Sequence, residues 1–441
     1  MDFVARYHKM LWKDRDLFRD SFVYPFCFDC NGVPTEKLAH KQNISGTENI
    51  INFAEELSKP YEDLFGKIKM DFEPHRYHTY DTNARILAEQ SFQDLVGKGY
   101  AYKTTTEFFW CPETKVSVSQ AEVDDNGCYE RSGAKVEVRT GEGWFINMKD
   151  HLPKIRDAID RIIWKPPVFQ ERLHRWLDDL KYDWSISRER KYGIPIPGEE
   201  NMVFDTWFTS SLSPQMSWQS YLDKHTHDLG SWPRGVGPTL DCPVFDVRFQ
   251  AHDIIRTWAL FTIVKSLYHN DQIPWKTIVI SGHALDPKGK KISKSAGNFV
   301  PPQEYLDKYG SSGVRYWTAQ NALGTDTKTD IQAMDKGKKL VNKIKNARKF
   351  LAMKNIEGRD TDQWHWHFWK NLEVRLHTHM QAYEWHEAIG WLTTFFWTDF
   401  CGEYIESAKE FPNLVKTLNQ IMDEILPWFE IFLPGITDAT A

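Results

Sequence analysis

Thr277-Ile278-Val279-Ile280-Ser281-Gly282-His283 opens the stretch that decides how this chain folds. The β-branched run reads as a strand, and the glycine breaks it. Ala284-Leu285-Asp286-Pro287-Lys288-Gly289-Lys290-Lys291-Ile292-Ser293-Lys294-Ser295-Ala296-Gly297-Asn298 follows, a loop rich in glycine and lysine. Polar loops at strand ends are where open α/β sheets build ligand sites. Several ammonium groups and hydroxyls gathered on one loop suit a triphosphate. A solvated lysine-rich loop is the plainer interpretation of the same composition.

Working outward, His252 to His269 has helical periodicity through Ile255, Leu260, Val264 and Leu267. Near the N-terminus, Asp2 to Leu11 reads as a helix with Phe3, Tyr7 and Leu11 at intervals of four. Phe22-Val23-Tyr24-Pro25-Phe26 is a short apolar run ending at the turn Asp29-Cys30-Asn31-Gly32. Between these halves, from about 121 to 200, the chain looks broken by Gly127, Gly133, Gly141 and Gly143, then helical and charged from His151 to Lys181. That pattern predicts an insertion packed on the first half. The fold class expected is therefore α/β, a split parallel sheet with a connective insertion, followed by an α-helical bundle. The boundaries read as 1–120, 121–200, 201–300, 301–355 and 356–441.

Lys336 to Lys354 carries eight basic residues and no acid, which alone reads as a solvated helix face. Leu392, Phe396, Phe400 and Tyr404 mark a buried stripe that Trp397 and Ile405 widen. A length of 441 residues allows two or three domains. The N-terminus lacks the apolar core of a signal peptide and no run is long enough to span a bilayer, so a soluble cytoplasmic protein is expected. Cys27 and Cys30 form a C-x-x-C, but no second pair completes a zinc site, and they read as ordinary buried thiols. The net charge of −6 argues against a generally basic coat, so any RNA contact must come from local patches.

Lys291-Ile292-Ser293-Lys294-Ser295, followed by Gly297-Asn298, resembles the K-M-S-K-S signature of class I aminoacyl-tRNA synthetases, with Ile for Met. Phe204-Asp205-Thr206-Trp207-Phe208-Thr209-Ser210-Ser211 resembles the D-T-W-F-S-S element of their valyl members. Ala251-His252-Asp253-Ile254-Ile255-Arg256-Thr257-Trp258 is similar to G-H-D-I-I-x-x-W, and Trp184-Ser185-Ile186-Ser187-Arg188 to W-C-I-S-R. Asp29-Cys30-Asn31-Gly32-Val33-Pro34-Thr35-Glu36 resembles the D-D-N-G-L-P-T-E turn of the archaeal-type subgroup. Phe396 to Cys401 resembles the start of an anticodon-domain helix. These matches occur in family order.

The resemblance implies a Rossmann-like catalytic fold and ATP-dependent activation of a small aliphatic amino acid, most simply valine, with transfer to tRNA. Asp29 would hold the α-ammonium, while Trp207, Ile254 and Trp258 would wall an apolar pocket, the last two on one helical face. Core packing is the alternative for the two tryptophans. His252 would lie near the adenylate. Lys291 and Lys294 would stabilise charge during attack on the α-phosphate, with Gly282, His283, Ser293 and Ser295 completing the ATP site. Magnesium would accompany the pyrophosphate. Lys336, Lys338, Lys339, Lys343, Lys345, Arg348 and Lys349 would face the tRNA elbow, and the bundle after about 356 the anticodon stem.

Three family parts are missing from the sequence as it stands: the first strand with its His-Ile-Gly-His-type motif, the editing domain, and the C-terminal coiled-coil arm. Gln120-Ala121-Glu122-Val123-Asp124-Asp125 passes almost directly to Asn126-Gly127-Cys128-Tyr129 where the editing domain would be inserted. Two further functions fit: a paralogue supplying activated amino acid to a biosynthetic pathway, and a non-catalytic tRNA- or amino-acid-binding protein.

Overall fold

The structure is a computed structural model that describes residues 1–12, 23–71, 76–114, 116–130, 132–190, 192–225, 238–292, 297–354 and 363–437. It divides into two compact units. One comprises Val23–Pro60 and Phe72–Ile280, the other Met1–Phe22, Tyr61–Asp71 and Ser281–Ala441.

In the first unit the parallel strands come in two pieces. Phe26–Phe28 lies beside Arg76–His78 with Cys27 opposite Tyr77. Phe245–Ala251, Trp275–Ser281 and Ile163–Lys165 form a second sheet in that order, with Thr277 opposite Ile163 in a parallel pair. Ile278, Val279 and Ile280 are all buried, as expected of a strand covered on both faces. The helix Leu260–Asn270 is buried all round up to His269, and Trp184 stacks on its Phe261 with ring centroids 3.7 Å apart.

The connective region is more regular than its glycines suggest. Ala101–Cys111 and Glu137–Ile146 form a long antiparallel pair. A Cβ at residue 141 would stand 2.9 Å from Cε1 of Phe108 across that pair, so Gly141 accommodates a ring within a strand. The stretch from His151 to Lys181 is also not one helix. Helices Leu152–Asp160 and Val168–Asp178 flank the strand Ile163–Lys165, which joins the parallel sheet. Pro166 and Pro167 supply the reason, because proline and the residue before it resist helix continuation.

The second unit is mainly helical: Pro302–Ala319, Ile331–Lys354, Gln363–Gln381, Trp385–Thr394, Ile405–Glu410 and Leu414–Phe432. The expected N-terminal helix, Asp2–Leu11, belongs to this unit, with Phe3 5.2 Å from Phe432 and the Tyr7 hydroxyl 2.9 Å from Nδ1 of His377. Leu11 leaves the apolar stripe and is exposed. Buried Arg315 pairs with Asp2 and donates to the carbonyls of Phe432 and Ile431. Leu392, Phe396, Phe400 and Tyr404 are buried as expected. Phe395–Tyr404, however, is a π-helix, whose wider turn leaves Trp397 38% exposed instead of broadening the stripe. Among the described residues no helix is long and apolar enough to cross a membrane.

One buried histidine makes the first unit's stability depend on pH. His269 is 6% exposed, with Nδ1 2.7 Å from an Asp94 oxygen and Nε2 2.9 Å from the Ser91 hydroxyl. Burial lowers its pKa from 6.5 to about 4, outweighing the Asp94 contact. Between these values the unfolded chain binds the extra proton and the folded chain does not. Stability is therefore full above about 6.5 and falls as pH drops toward about 4, by at most about 3 kcal/mol. Urea titrations of the wild type and His269→Gln should diverge across that window, the variant having the flatter profile; parallel profiles would contradict this.

Candidate functional site

The five-residue helix Thr206–Ser210 is too short to be stable alone. It is held from outside at nearly every residue. Thr206 Oγ1 donates to the Asp29 carboxylate at 3.1 Å, and Asp29 is the first residue beyond the strand Phe26–Phe28. Thr79 Oγ1 reaches the same carboxylate at 3.4 Å. The Trp207 indole donates to Glu122 Oε1 at 3.0 Å. Lys265 Nζ donates to the Phe208 carbonyl at 2.9 Å, and the Trp258 indole to the Ser210 carbonyl at 2.8 Å. These last two satisfy C-terminal carbonyls that have no partner within a helix. Asp29, Trp207 and Trp258 are thus brought together through one element.

A buried charge cluster lies behind the helix. Arg188 Nη2 is 3.2 Å from Asp205 and 3.5 Å from Glu122, with all three side chains at most 6% exposed. Arg188 Nη1 donates to the carbonyls of Ser185 and Ser187, and the Trp184 indole donates to Asp205 at 3.2 Å. Glu122 also accepts from the Ser119 backbone in a capping box. Removing one member of such a cluster leaves buried charge uncompensated, at a cost of about 3–5 kcal/mol.

Other expected residues are placed differently. Ile254 ends a 3-10 turn and Trp258 lies in the π-helix Ile255–Ala259, so the two do not share one face of a regular α-helix. The Ile255–Ala259 segment packs against Thr206–Ser210. His252 lies parallel to the Phe169 ring, 6.0 Å away. Arg248 stands over the Trp258 ring at 3.3 Å. Burial pushes the Cys30 thiol up to about 12 and raises Cys27 further. Both are protonated thiols in the metal-free protein. Among the described residues no three His, Cys, Asp or Glu side chains gather as a metal site.

The lysine-rich loop belongs to the second unit. Gly282 is required by close approach, because a Cβ there would stand 2.1 Å from the Thr325 carbonyl oxygen. The His283 amide donates to Asp326 at 2.8 Å. Asp286 organises the turn, accepting from the Lys288 and Lys290 amides at 2.9 and 2.8 Å and from Asn298 Nδ2 at 3.0 Å. Asn298 and the backbone donors hold its carboxyl below the usual range. Lys291 bridges back to Leu285. Ser293, Lys294 and Ser295 lie outside the described residues.

On the helix Ile331–Lys354, Lys336, Lys338, Lys339 and Lys349 are exposed, while Lys343, Lys345 and Arg348 are half-buried. Lys338 donates to the Lys308 carbonyl at 3.3 Å and Lys339 approaches Asp335 at 3.8 Å. Lys343, Lys345 and Lys349 make no hydrogen bond or ion pair among the described residues.

Sequence reasoning missed Glu122, Lys265 and Arg248 as parts of the site. Glu122 had a signal, since Ser119-Gln120-Ala121-Glu122 is a capping-box string. Lys265, within an apolar helical run, and Arg248, in a short strand, belong to no motif that signals a buried cation.

The family described as "tRNA synthetases class I (M)" matches residues 120–352, and "tRNA synthetases class I (I, L, M and V)" matches 1–199. "Anticodon-binding domain of tRNA ligase" matches 362–441. The valine–tRNA ligase of Anaplasma marginale is 32% identical over 370 residues, covering 71% of this chain and 44% of that enzyme. The valine–tRNA ligase of Rickettsia rickettsii is 33% identical over 383 residues, covering 70% and 46%. The chain thus spans less than half the length of these curated relatives. Mycobacterium tuberculosis methionyl-tRNA synthetase in complex with methionyl-adenylate superposes with a TM-score of 0.75 at 17% identity, over 99% of this chain and 88% of that one. The agnB2 LeuRS–tRNA–LeuAMS ternary complex of Agrobacterium radiobacter K84 does so with a TM-score of 0.78 at 13% identity, over 100% and 81%. With a family match across more than half its length and the same fold in two solved synthetases, the chain belongs to the class I tRNA synthetases.

Proposed function

We propose that this chain activates a small aliphatic amino acid, valine in the first instance, with ATP as an aminoacyl-adenylate and transfers it to tRNA without editing. The observation that carries this reading is the Thr206–Ser210 helix, which joins a strand-end carboxylate to two indoles. Asp29 receives the α-ammonium, and Trp207, Ile254 and Trp258 bound the aliphatic side chain. ATP lies along Gly282, His283, Lys291, Ser293, Lys294 and Ser295. His252, Lys291 and Lys294 offset charge as the carboxylate attacks the α-phosphate, a step that needs positioning and electrostatics more than covalent help. A magnesium ion, when bound, would supply further charge neutralisation for the triphosphate. The likeness to valine–tRNA ligases supports the choice of valine.

The compact link after Ser119 supports the absence of editing. The Glu130 amide donates to the Glu122 carbonyl at 3.0 Å, and Val123 bridges Tyr129, so the segment folds back within a few residues. The basic helix Ile331–Lys354 and the bundle beyond it form the proposed tRNA face. Lys343, Lys345 and Lys349 are among the cations there that no hydrogen bond or ion pair engages among the described residues.

Three measurements test this function. In isothermal titration calorimetry, Trp207→Ala should weaken valine binding at least about tenfold, the scale of a changed apolar pocket contact; unchanged affinity would remove Trp207 from the pocket. In charging assays threonyl-tRNA should accumulate, because an apolar pocket rejects an isosteric hydroxyl by only about a hundredfold. Discrimination beyond roughly a thousandfold would contradict an unedited pocket of this kind. Binding of tRNA should weaken steeply with salt, and Lys343→Ala with Lys345→Ala should flatten that slope by about 2. A slope unaltered by the pair would place the RNA elsewhere.

A further inference from the structure

Arg248, in the strand Phe245–Ala251, is a cation with no anion beside it among the described residues. Its Nη1 finds the Ser213 hydroxyl at 3.4 Å, whereas Nε and Nη2 are shut off from solvent and have no hydrogen-bond partner among those residues. Burying a guanidinium in that state is costly unless a charge-assisted bond compensates it. The titratable groups facing it are Tyr77 and Cys27, and burial holds both as neutral acids. Burial also lowers Arg248 itself to about 10, which leaves it a cation at neutral pH.

Geometry narrows what would compensate it. The guanidinium stands over the Trp258 ring at 3.3 Å and lies 5.4 Å from the centre of Trp275. Nε and Nη2 form one edge of the planar fork, where two parallel N–H groups match the two oxygens of a single carboxylate. Trp258, under the guanidinium, is also the side chain that anchors the Thr206–Ser210 helix.

We infer that Arg248 is a carboxylate receptor: its Nε–Nη2 edge, closed to water in the ligand-free protein, is uncovered as the amino acid enters and takes the α-carboxylate while Asp29 takes the α-ammonium, so the substrate is seated as a zwitterion. The pairing with Asp29 rests on the amino acid reading above, whereas the receptor rests on Arg248 alone. Release of the carboxylate from this edge would then precede its attack on ATP.

Calorimetric titration of the whole chain with L-valine, L-valinol and isovalerate tests this. Valinol lacks the carboxylate and isovalerate lacks the ammonium. The wild type should prefer valine to valinol at least tenfold, Arg248→Met should reduce that ratio to near one, and Arg248→Lys should give an intermediate value. Arg248→Met should also raise the ligand-free melting temperature, because it removes an uncompensated buried charge; a folding defect would lower it. A ratio that persists in Arg248→Met overturns the receptor and leaves the amino acid reading standing. Binding of isovalerate but not valine, lost in Arg248→Met, would support the receptor and overturn the amino acid reading. Failure of all three ligands to bind the wild type overturns the receptor.

Discussion

The hydrogen bond between the Trp207 indole and Glu122, at 3.0 Å, is the contact on which the proposed site depends. The Thr206–Ser210 helix cannot persist by its own backbone bonds, so its position is set by what grips it. Asp29 fixes its first residue, Glu122 the orientation of Trp207, and Lys265 and Trp258 its last carbonyls. A pocket built this way is preorganised. The walls are held by polar contacts made before any ligand arrives, so little ordering remains to oppose binding.

These polar contacts are unusual for a wall that would face an aliphatic side chain. Glu122, Arg188 and Asp205 are buried together, and a buried ion cluster of this type adds little net stability. Its effect is geometric. Arg188 ties the start of the short helix to the connective link, so the compact fold after Ser119 and the position of Trp207 are coupled through one guanidinium. Lys265 acts from the other side. Desolvation lowers its pKa well below the ordinary value, and it serves the Phe208 carbonyl as a donor.

What was legible in the sequence followed periodicity and turn chemistry. The strand through Thr277–Ser281 and the helix Asp2–Leu11 sit where residue spacing places them, and the basic stretch Lys336–Lys354, marked by its charge, lies within the helix Ile331–Lys354. Asp29, Trp207 and Trp258 could be gathered from motif resemblance, and one helix does join them. Less legible were features that depend on contacts distant in sequence. Ile163-Trp164-Lys165 is too short to announce itself as a strand until Trp275–Ser281 pairs with it. The π-helix at Phe395–Tyr404 shifts which aromatic side chains are covered, and helical spacing of 3.6 residues hides it. Gly141 looked like a chain break because a glycine demanded by a neighbouring ring resembles one demanded by a turn.

The most direct test of this account is a double-mutant cycle between Trp207→Phe and Glu122→Leu, read as valine affinity by calorimetry. Phenylalanine keeps an aromatic wall but removes the indole N–H, and leucine removes the acceptor. If the bond positions the wall, the two changes should be non-additive, with a coupling of about 1 kcal/mol. Strict additivity would show that the contact does not set the pocket and would contradict the account.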